Sequence, residues 1–221
     1  MCIVGGIGTG NLLRINERRF IVTCKHVADI FFSNKQYVIT LKSNKKIKQD
    51  NLIYLKHSKS QYDTALIEIM DRNVGGTFYE LSDIEVIEDF SKYSFTESNI
   101  HLCGFPDSIK IEDSTSIRRK WFSYLTIPIE SKNEEDFLYC DYTMNSYVQN
   151  FKSNYNIKLP LAPGLSGSFV HLVNTSKISV NKIWSLKSIK VIAMQIEWNE
   201  KSYLKCVNIK HLQKLLNSTP I

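Results

Sequence analysis

What most constrains this chain is that its apolar residues come in short stretches separated by polar turns. They fall at 11–15, 20–23, 37–41, 52–55, 64–69, 100–103, 121–127, 137–142, 167–173 and 190–198. β-Branched and aromatic residues dominate them, and none sustains a helical period, so the pattern predicts an all-β sandwich or barrel. Two helical signals interrupt it. His26-Val27-Ala28-Asp29-Ile30-Phe31-Phe32 is long enough for a short helix. The stretch 208–216 sets Ile209, Leu212, Leu215 and Leu216 on one face before Asn217-Ser218-Thr219-Pro220 stops it.

A chain of 221 residues with 43% hydrophobic and 11% aromatic content is large enough for one big or two small cores, which excludes disordered and fibrous classes. The start has no charged region followed by an apolar run, and no stretch is long enough to span a bilayer, so a cytoplasmic protein without a membrane partner is expected. Five cysteines, an odd number at irregular gaps with no CxxC, argue against a disulfide framework or a zinc site, and no metal or cofactor is expected. They read as small buried hydrophobes; Cys2 as a terminal nucleophile after loss of Met1 is the other reading. The net charge of +6 gathers partly in Lys42-Ser43-Asn44-Lys45-Lys46-Ile47-Lys48, which lacks interleaved aromatic or Arg residues and reads as a solvated hairpin rather than a nucleic-acid surface.

The segment richest in chemistry is Gly164-Leu165-Ser166-Gly167-Ser168. A serine between glycines on a tight turn that runs into a strand holds its hydroxyl outward while backbone N–H groups share the same space. A serine becomes nucleophilic only when a base takes its proton, and that base needs a carboxylate to hold its tautomer. Of the five histidines, His171 lies on the strand leaving Ser166, His57 and His211 read as solvated, and His101 begins a strand. His26 follows directly on the strand 20–23 and opens the short helix, a junction that fixes a side chain rigidly. Asp63 stands at the threshold of the strand 64–69, where it is desolvated enough to orient an imidazole. A core or surface histidine and a turn-initiating aspartate are the plain alternatives.

In the order His26, Asp63, Ser166, the chain resembles the trypsin-like (chymotrypsin-fold) serine peptidases, in particular compact intracellular bacterial members. The resemblance rests on Gly8-Thr9-Gly10-Asn11-Leu12-Leu13, Ile21-Val22-Thr23-Cys24-Lys25-His26-Val27, Tyr62-Asp63-Thr64-Ala65-Leu66-Ile67, Cys103-Gly104-Phe105-Pro106 and the Ser166 turn. It implies two antiparallel six-stranded β-barrels with a C-terminal α-helix: residues 1–85 carrying His26 and Asp63, a linker at 86–99, a second barrel at 100–205 carrying Ser166, and a helix at 206–221. It further implies an endopeptidase in which Ser166 attacks, His26 shuttles the proton, Asp63 steadies the imidazolium, and the Gly164 and Ser166 N–H groups form an oxyanion hole. The strand around Gln195, Ile196 and Glu197 is similar to the family's substrate-pairing strand, with Glu197 favouring a basic side chain or simply facing solvent. The implied partner is a polypeptide substrate, with a regulatory protein partner and a role in defence or regulated cell death as further expectations. The Asn- and Tyr-rich segment 145–156 reads as a surface loop or a regulatory one.

Departures from the family pattern restrict what is inherited. Ser168 replaces the usual second glycine, Val27 follows His26 where trypsins have a cysteine, and Pro160 stands where they carry the acidic base of the specificity pocket. The opening Ile3-Val4-Gly5-Gly6 matches the activating terminus of trypsins, yet the residue before Ser166 is Leu165, so no carboxylate awaits a freed amine there. These residues are expected to form a first strand and bend. A lipase-type elbow is excluded because a strand-like stretch follows Ser166 and the chosen histidine precedes it. The competing class is a catalytically inactive domain of the same fold that binds peptides or proteins.

Overall fold

The computed structural model describes residues 1–34, 37–40, 46–96, 98–112, 117–119, 121–143, 147–149, 156–174, 189–200 and 202–218. The first half supplies β1 (Cys2–Val4), β2 (Gly8–Ile15), β3 (Arg18–Cys24), α1 (Lys25–Ser33), β4 (Tyr37–Thr40), β5 (Lys46–Lys48), β6 (Leu52–His57) and β7 (Thr64–Ile69). They form one antiparallel sheet in the order β5-β4-β1-β2-β3-β7-β6. It has seven strands rather than six because the bend after Val4, with Gly5 and Gly6 at φ 56° and 67°, splits the opening into two paired strands. Ile3 and Val4 lie in register with Thr9 and Gly8 on one side and with Ile39 and Val38 on the other, as ordinary sheet residues. In the lysine-rich stretch, β5 pairs with β4 and buries Ile47 between exposed Lys46 and Lys48; residues 41–45 lie outside the described ones.

The second half contributes β8 (Ser98–Gly104), the hairpin β9 (Lys110–Glu112) and β10 (Ile117–Arg119), β11 (Phe122–Thr126), β12 (Phe137–Asp141), the hairpin β13 (Tyr147–Gln149) and β14 (Asn156–Lys158), β15 (Phe169–Asn174), β16 (Ile189–Asn199), β17 (Tyr203–Asn208) and α2 (Lys210–Asn217). Six of these strands form an antiparallel sheet ordered β11-β8-β15-β16-β17-β12. Of the segment 145–156, only 147–149 and residue 156 are described. No helix among the described residues is long and apolar enough to cross a membrane.

Strand alternation sends neighbouring side chains into two cores. Phe169, Val191 and Met194 pack with Leu12, Phe20, Ile21, Leu66 and Phe31 of the first half, joined by Leu212 and Leu216 of α2. Val170, Leu172, Ile192 and Ala193 turn the other way, toward Ile100, Leu102, Leu138, Tyr142 and Leu204. Each fully buried Leu, Ile or Phe contributes about 1.5–3 kcal/mol, so the strand bearing the serine turn is anchored in both cores. The connecting chain touches both sheets. The Tyr79 N–H donates to Leu12 and its carbonyl accepts from Arg14, while the Glu85 N–H donates to Val191. Ile87, Phe90 and Phe95, further along, are buried in the second core.

Candidate active site

α1 begins where β3 ends, and its first N–H groups need acceptors. Cys24, at the cap position, makes no side-chain cap; Asp63 does the work instead. The Asp63 carbonyl accepts the Lys25 N–H at 2.9 Å and its Oδ1 accepts the His26 N–H at 3.0 Å. The other oxygen, Oδ2, lies 2.5 Å from His26 Nδ1. One carboxylate thus caps a helix start, where the macrodipole favours negative charge, and fixes the adjacent imidazole with Nδ1 as the protonated nitrogen. Reaching both donors requires Asp63 to leave the 3₁₀ turn at Ser60–Tyr62 with φ 44° and ψ 39°, a left-handed conformation that aspartate tolerates better than most residues. The His26 side chain is 46% exposed and that of Asp63 18%, so the ring faces solvent while its partner is largely shielded.

The other histidines are occupied elsewhere. His171 is buried and held by the Tyr79 hydroxyl at 2.9 Å, and burial pushes its pKa down to about 4. His101 bonds Ser123 Oγ, and exposed His57 lies against the neighbouring Ser58 carbonyl. His211, expected to be solvated, is 5% exposed: it stacks on Tyr62 at 3.5 Å with its Nε2 3.0 Å from an Asp136 carboxylate oxygen, because the apolar face of α2 draws its first turn into the core. Cys2 is buried in β1 with its thiol pushed up to about 12, an inert group rather than a nucleophile.

The serine turn docks onto β2 and β3 through a polar seam. Thr9 N–H donates to the Ser166 carbonyl at 2.9 Å, Thr9 Oγ1 to the Gly164 carbonyl at 2.8 Å, and Asn11 Nδ2 to the Gly167 carbonyl at 2.6 Å. Gly8 is wedged between Val27, the neighbour of His26, and the Ser166 carbonyl: a Cβ there would lie 2.7 Å from Val27 and 3.0 Å from that oxygen. The turn is therefore held against β2, next to the Val27 side chain of the helix that carries His26. No hydrogen bond joins the Ser166 hydroxyl to His26 among the described residues. Such links are often open without substrate.

No protein-family model matches the chain, and no curated protein matches it in sequence. Among solved structures it is similar to the protease domain of MamO from Magnetospirillum magneticum in its apo form. The match has a TM-score of 0.54 at 10% identity and covers 99% of this chain and 90% of that one. The chain has a chymotrypsin-like fold.

The backbone around the turn separates committed from uncommitted donors. The Leu165, Gly167 and Ser168 N–H groups bond the carbonyls of Ala162, Gln195 and Leu165, whereas those of Gly164 and Ser166 have no acceptor among the described residues. Gly164 adopts φ 94° with the Phe105 carbonyl 2.4 Å from where a Cβ would sit, so only glycine fits. Pro160, at the expected pocket base, accepts a hydrogen bond from the fully buried Tyr142 hydroxyl at 2.8 Å.

A cleft of about 620 Å³ is lined by His26, Ser60, Gln61 and Asp63 of the first half and by Phe137, Ile196, Glu197 and Lys205 of the second; Ser166 is not among its lining residues. Gln195 is buried, its N–H donating to Ser168 and its carbonyl accepting from Gly167 and from Cys24 Sγ, so its backbone serves the serine turn. A bulge at Ile196 then turns Glu197 out beside its cross-strand partner Lys205. The cleft thus carries both signs of charge, a feature Glu197 alone did not disclose. Sequence reading also missed Thr9 and Asn11 as the dock for the turn, with the Thr23 hydroxyl bracing the Thr9 carbonyl behind them. The signal available was Gly8-Thr9-Gly10, two glycines around a hydroxyl, which marks close backbone approach.

Proposed function

We propose that the chain is a serine endopeptidase that cuts a polypeptide substrate through His26, Asp63 and Ser166 and an acyl-enzyme intermediate. The observation carrying this reading is the two-point grip of Asp63 on His26, both lining a cleft, together with a glycine-flanked serine turn held against Gly8 and Val27. In the proposed reaction, substrate binding draws Ser166 Oγ to His26 Nε2. Oγ then attacks the carbonyl carbon as Nε2 takes its proton, and Asp63 stabilises the resulting imidazolium. The oxyanion accepts from the Gly164 and Ser166 N–H groups, each donor contributing about 3 kcal/mol. Collapse breaks the C–N bond as Nε2 protonates the departing amine, and a water activated by the same nitrogen releases the acyl group.

The open link between Ser166 and His26 favours a second reading, an inactive domain that binds peptides in the same cleft. A fluorophosphonate probe separates the two. Labelling of the wild type but not of Ser166→Ala supports the peptidase; an unlabelled wild type that still binds peptide supports the binding module. Proteomic comparison of cells carrying wild type or Ser166→Ala would then identify the cleaved partner, and the cytoplasmic location is tested by the same fractionated samples.

A further inference from the structure

One face of the second sheet carries donors that hydrolysis does not use. β8 and β15 run antiparallel with His171 directly opposite His101. Cys103 lies two residues beyond His101 on β8, so alternation places its side chain on the same face. One ring nitrogen of each histidine and Cys103 Sγ lie within 4.8 Å of one another. Cys103 and His171 are 4% and 5% exposed and His101 is half-buried. None of the three lines the cleft.

We propose that His101, Cys103 and His171 form a binding site for a thiophilic d¹⁰ cation, Zn²⁺ or Cu⁺. Two imidazoles and a thiol make a borderline-soft donor set, unlike the oxygen ligands that Mg²⁺ and Ca²⁺ require. Tetrahedral Zn–N and Zn–S bonds of about 2.0–2.3 Å put donors roughly 3.3–3.8 Å apart, so side-chain rotation alone closes the set. The outer partners are those that orient metal-bound imidazoles. His171 Nδ1 lies 3.3 Å from the His101 carbonyl, which leaves Nε2 as the ligating atom, and His101 Nε2 lies 2.7 Å from Ser123 Oγ, which leaves its Nδ1. The Tyr79 hydroxyl, 2.9 Å from His171 Nε2, turns away to free that lone pair. As the metal–sulfur bond forms, the Cys103 S–H proton passes to solvent; no electron moves and the ion keeps its oxidation state. The fourth position distinguishes the ions. The Met1 thioether, 3.9 Å from Cys103 Sγ, suits Cu⁺, and Zn²⁺ completes its tetrahedron with water. The bound ion would tie β8 to β15 and act on fold stability.

The test is metal titration of the reduced, chelator-stripped full chain, read without any hydrolysis assay. Co²⁺ as the probe for Zn²⁺ is expected to bind at one equivalent with tetrahedral d–d bands and a thiolate-to-metal charge-transfer band, displaced by Zn²⁺. Cu⁺ is titrated separately against a colorimetric chelator, and whichever ion binds raises the melting midpoint. Cys103→Ser is expected to abolish the charge-transfer band, and His101→Gln or His171→Gln to weaken binding by on the order of 100-fold or more; Tyr79→Phe changes it by no more than about tenfold. His101→Gln, at a half-buried ring, serves if the buried variants fail to fold. Sub-stoichiometric uptake of all three ions by the wild type overturns the site. So does uptake undiminished in Cys103→Ser and His101→Gln, or uptake lost instead in His26→Ala, which would assign the ion to Cys24, His26 and Asp63, whose donor atoms also lie within 4.8 Å of one another.

Discussion

The Thr9 hydroxyl donates to the Gly164 carbonyl at 2.8 Å, joining two residues 155 positions apart across the seam between the sheets. Thr9 Oγ1 also accepts the Phe105 N–H at 3.0 Å, so one buried side chain ties both the serine turn and the segment after β8 to β2. Thr9→Val keeps the shape and removes both partners. Each orphaned group costs about 1–3 kcal/mol. Denaturant unfolding should show a loss of about 2–6 kcal/mol for the two groups together, and peptide hydrolysis should fall in kcat more than in KM. Unchanged stability would mean that the seam is held by its other contacts.

Gly6 and Gly167 both have positive φ, yet they should respond differently to alanine. At Gly6, φ 67°, nothing lies within 4 Å of the new Cβ, so only backbone strain of about 1–2 kcal/mol is expected. At Gly167, φ 92°, the Cβ would sit 2.1 Å from the Thr9 carbonyl and 2.6 Å from Thr23 Oγ1. Gly167→Ala should therefore displace the serine turn and abolish probe labelling, with a much larger drop in melting midpoint than Gly6→Ala. Equal effects from the two would refute the close docking.

In Asp63→Asn, the side-chain oxygen still accepts the His26 N–H, but the amide now presents a donor to Nδ1. The ring must then carry its proton on Nε2, where it cannot accept one from Ser166. Turnover should fall by about 10⁴-fold with little change in fold. A loss of only a few-fold would show that Asp63 serves chiefly as the helix cap.

Arg18 pairs with Glu68 through two hydrogen bonds, Nε to Oε1 at 2.7 Å and Nη2 to Oε2 at 2.8 Å. The Arg18 hydrogen bond holds the Glu68 carboxyl below its ordinary range. A carboxyl lowered on folding gives stability that is fully present above its unfolded value, about 4.3, and is lost as pH falls through the lower folded value. Glu68→Gln should lower the denaturant midpoint at neutral pH and flatten its fall below about pH 4. A variant that kept the wild-type acid slope would place the titrating group elsewhere.

Most strands were legible because strand signals are local. The stretch 64–69 is a short, mostly apolar run after Asp63 and becomes β7 with the same bounds, and 20–23 is the centre of β3. β17 is not legible in the sequence: Tyr203-Leu204-Lys205-Cys206-Val207-Asn208 straddles the expected end of the second barrel and start of the terminal helix, whereas pairing with β12 and β16 makes it a strand, so α2 starts only at Lys210. Glu197 showed a charge in the sequence, but Lys205 became its neighbour only through the register of β16 on β17.

The sequence by itself determined the local features: period-two strands, the amphipathic α2, a serine between two glycines, and a histidine at a strand-to-helix junction. Periodicity and turn chemistry act over a few residues, so they can be read without the fold. Only the tertiary structure decided that Asp63 caps α1 and grips His26, that Thr9 and Asn11 hold the serine turn, and that His101, Cys103 and His171 share one face. Those relationships are hydrogen bonds and contacts between chain segments far apart in sequence, and their partners are chosen by sheet register and packing rather than by neighbouring residues.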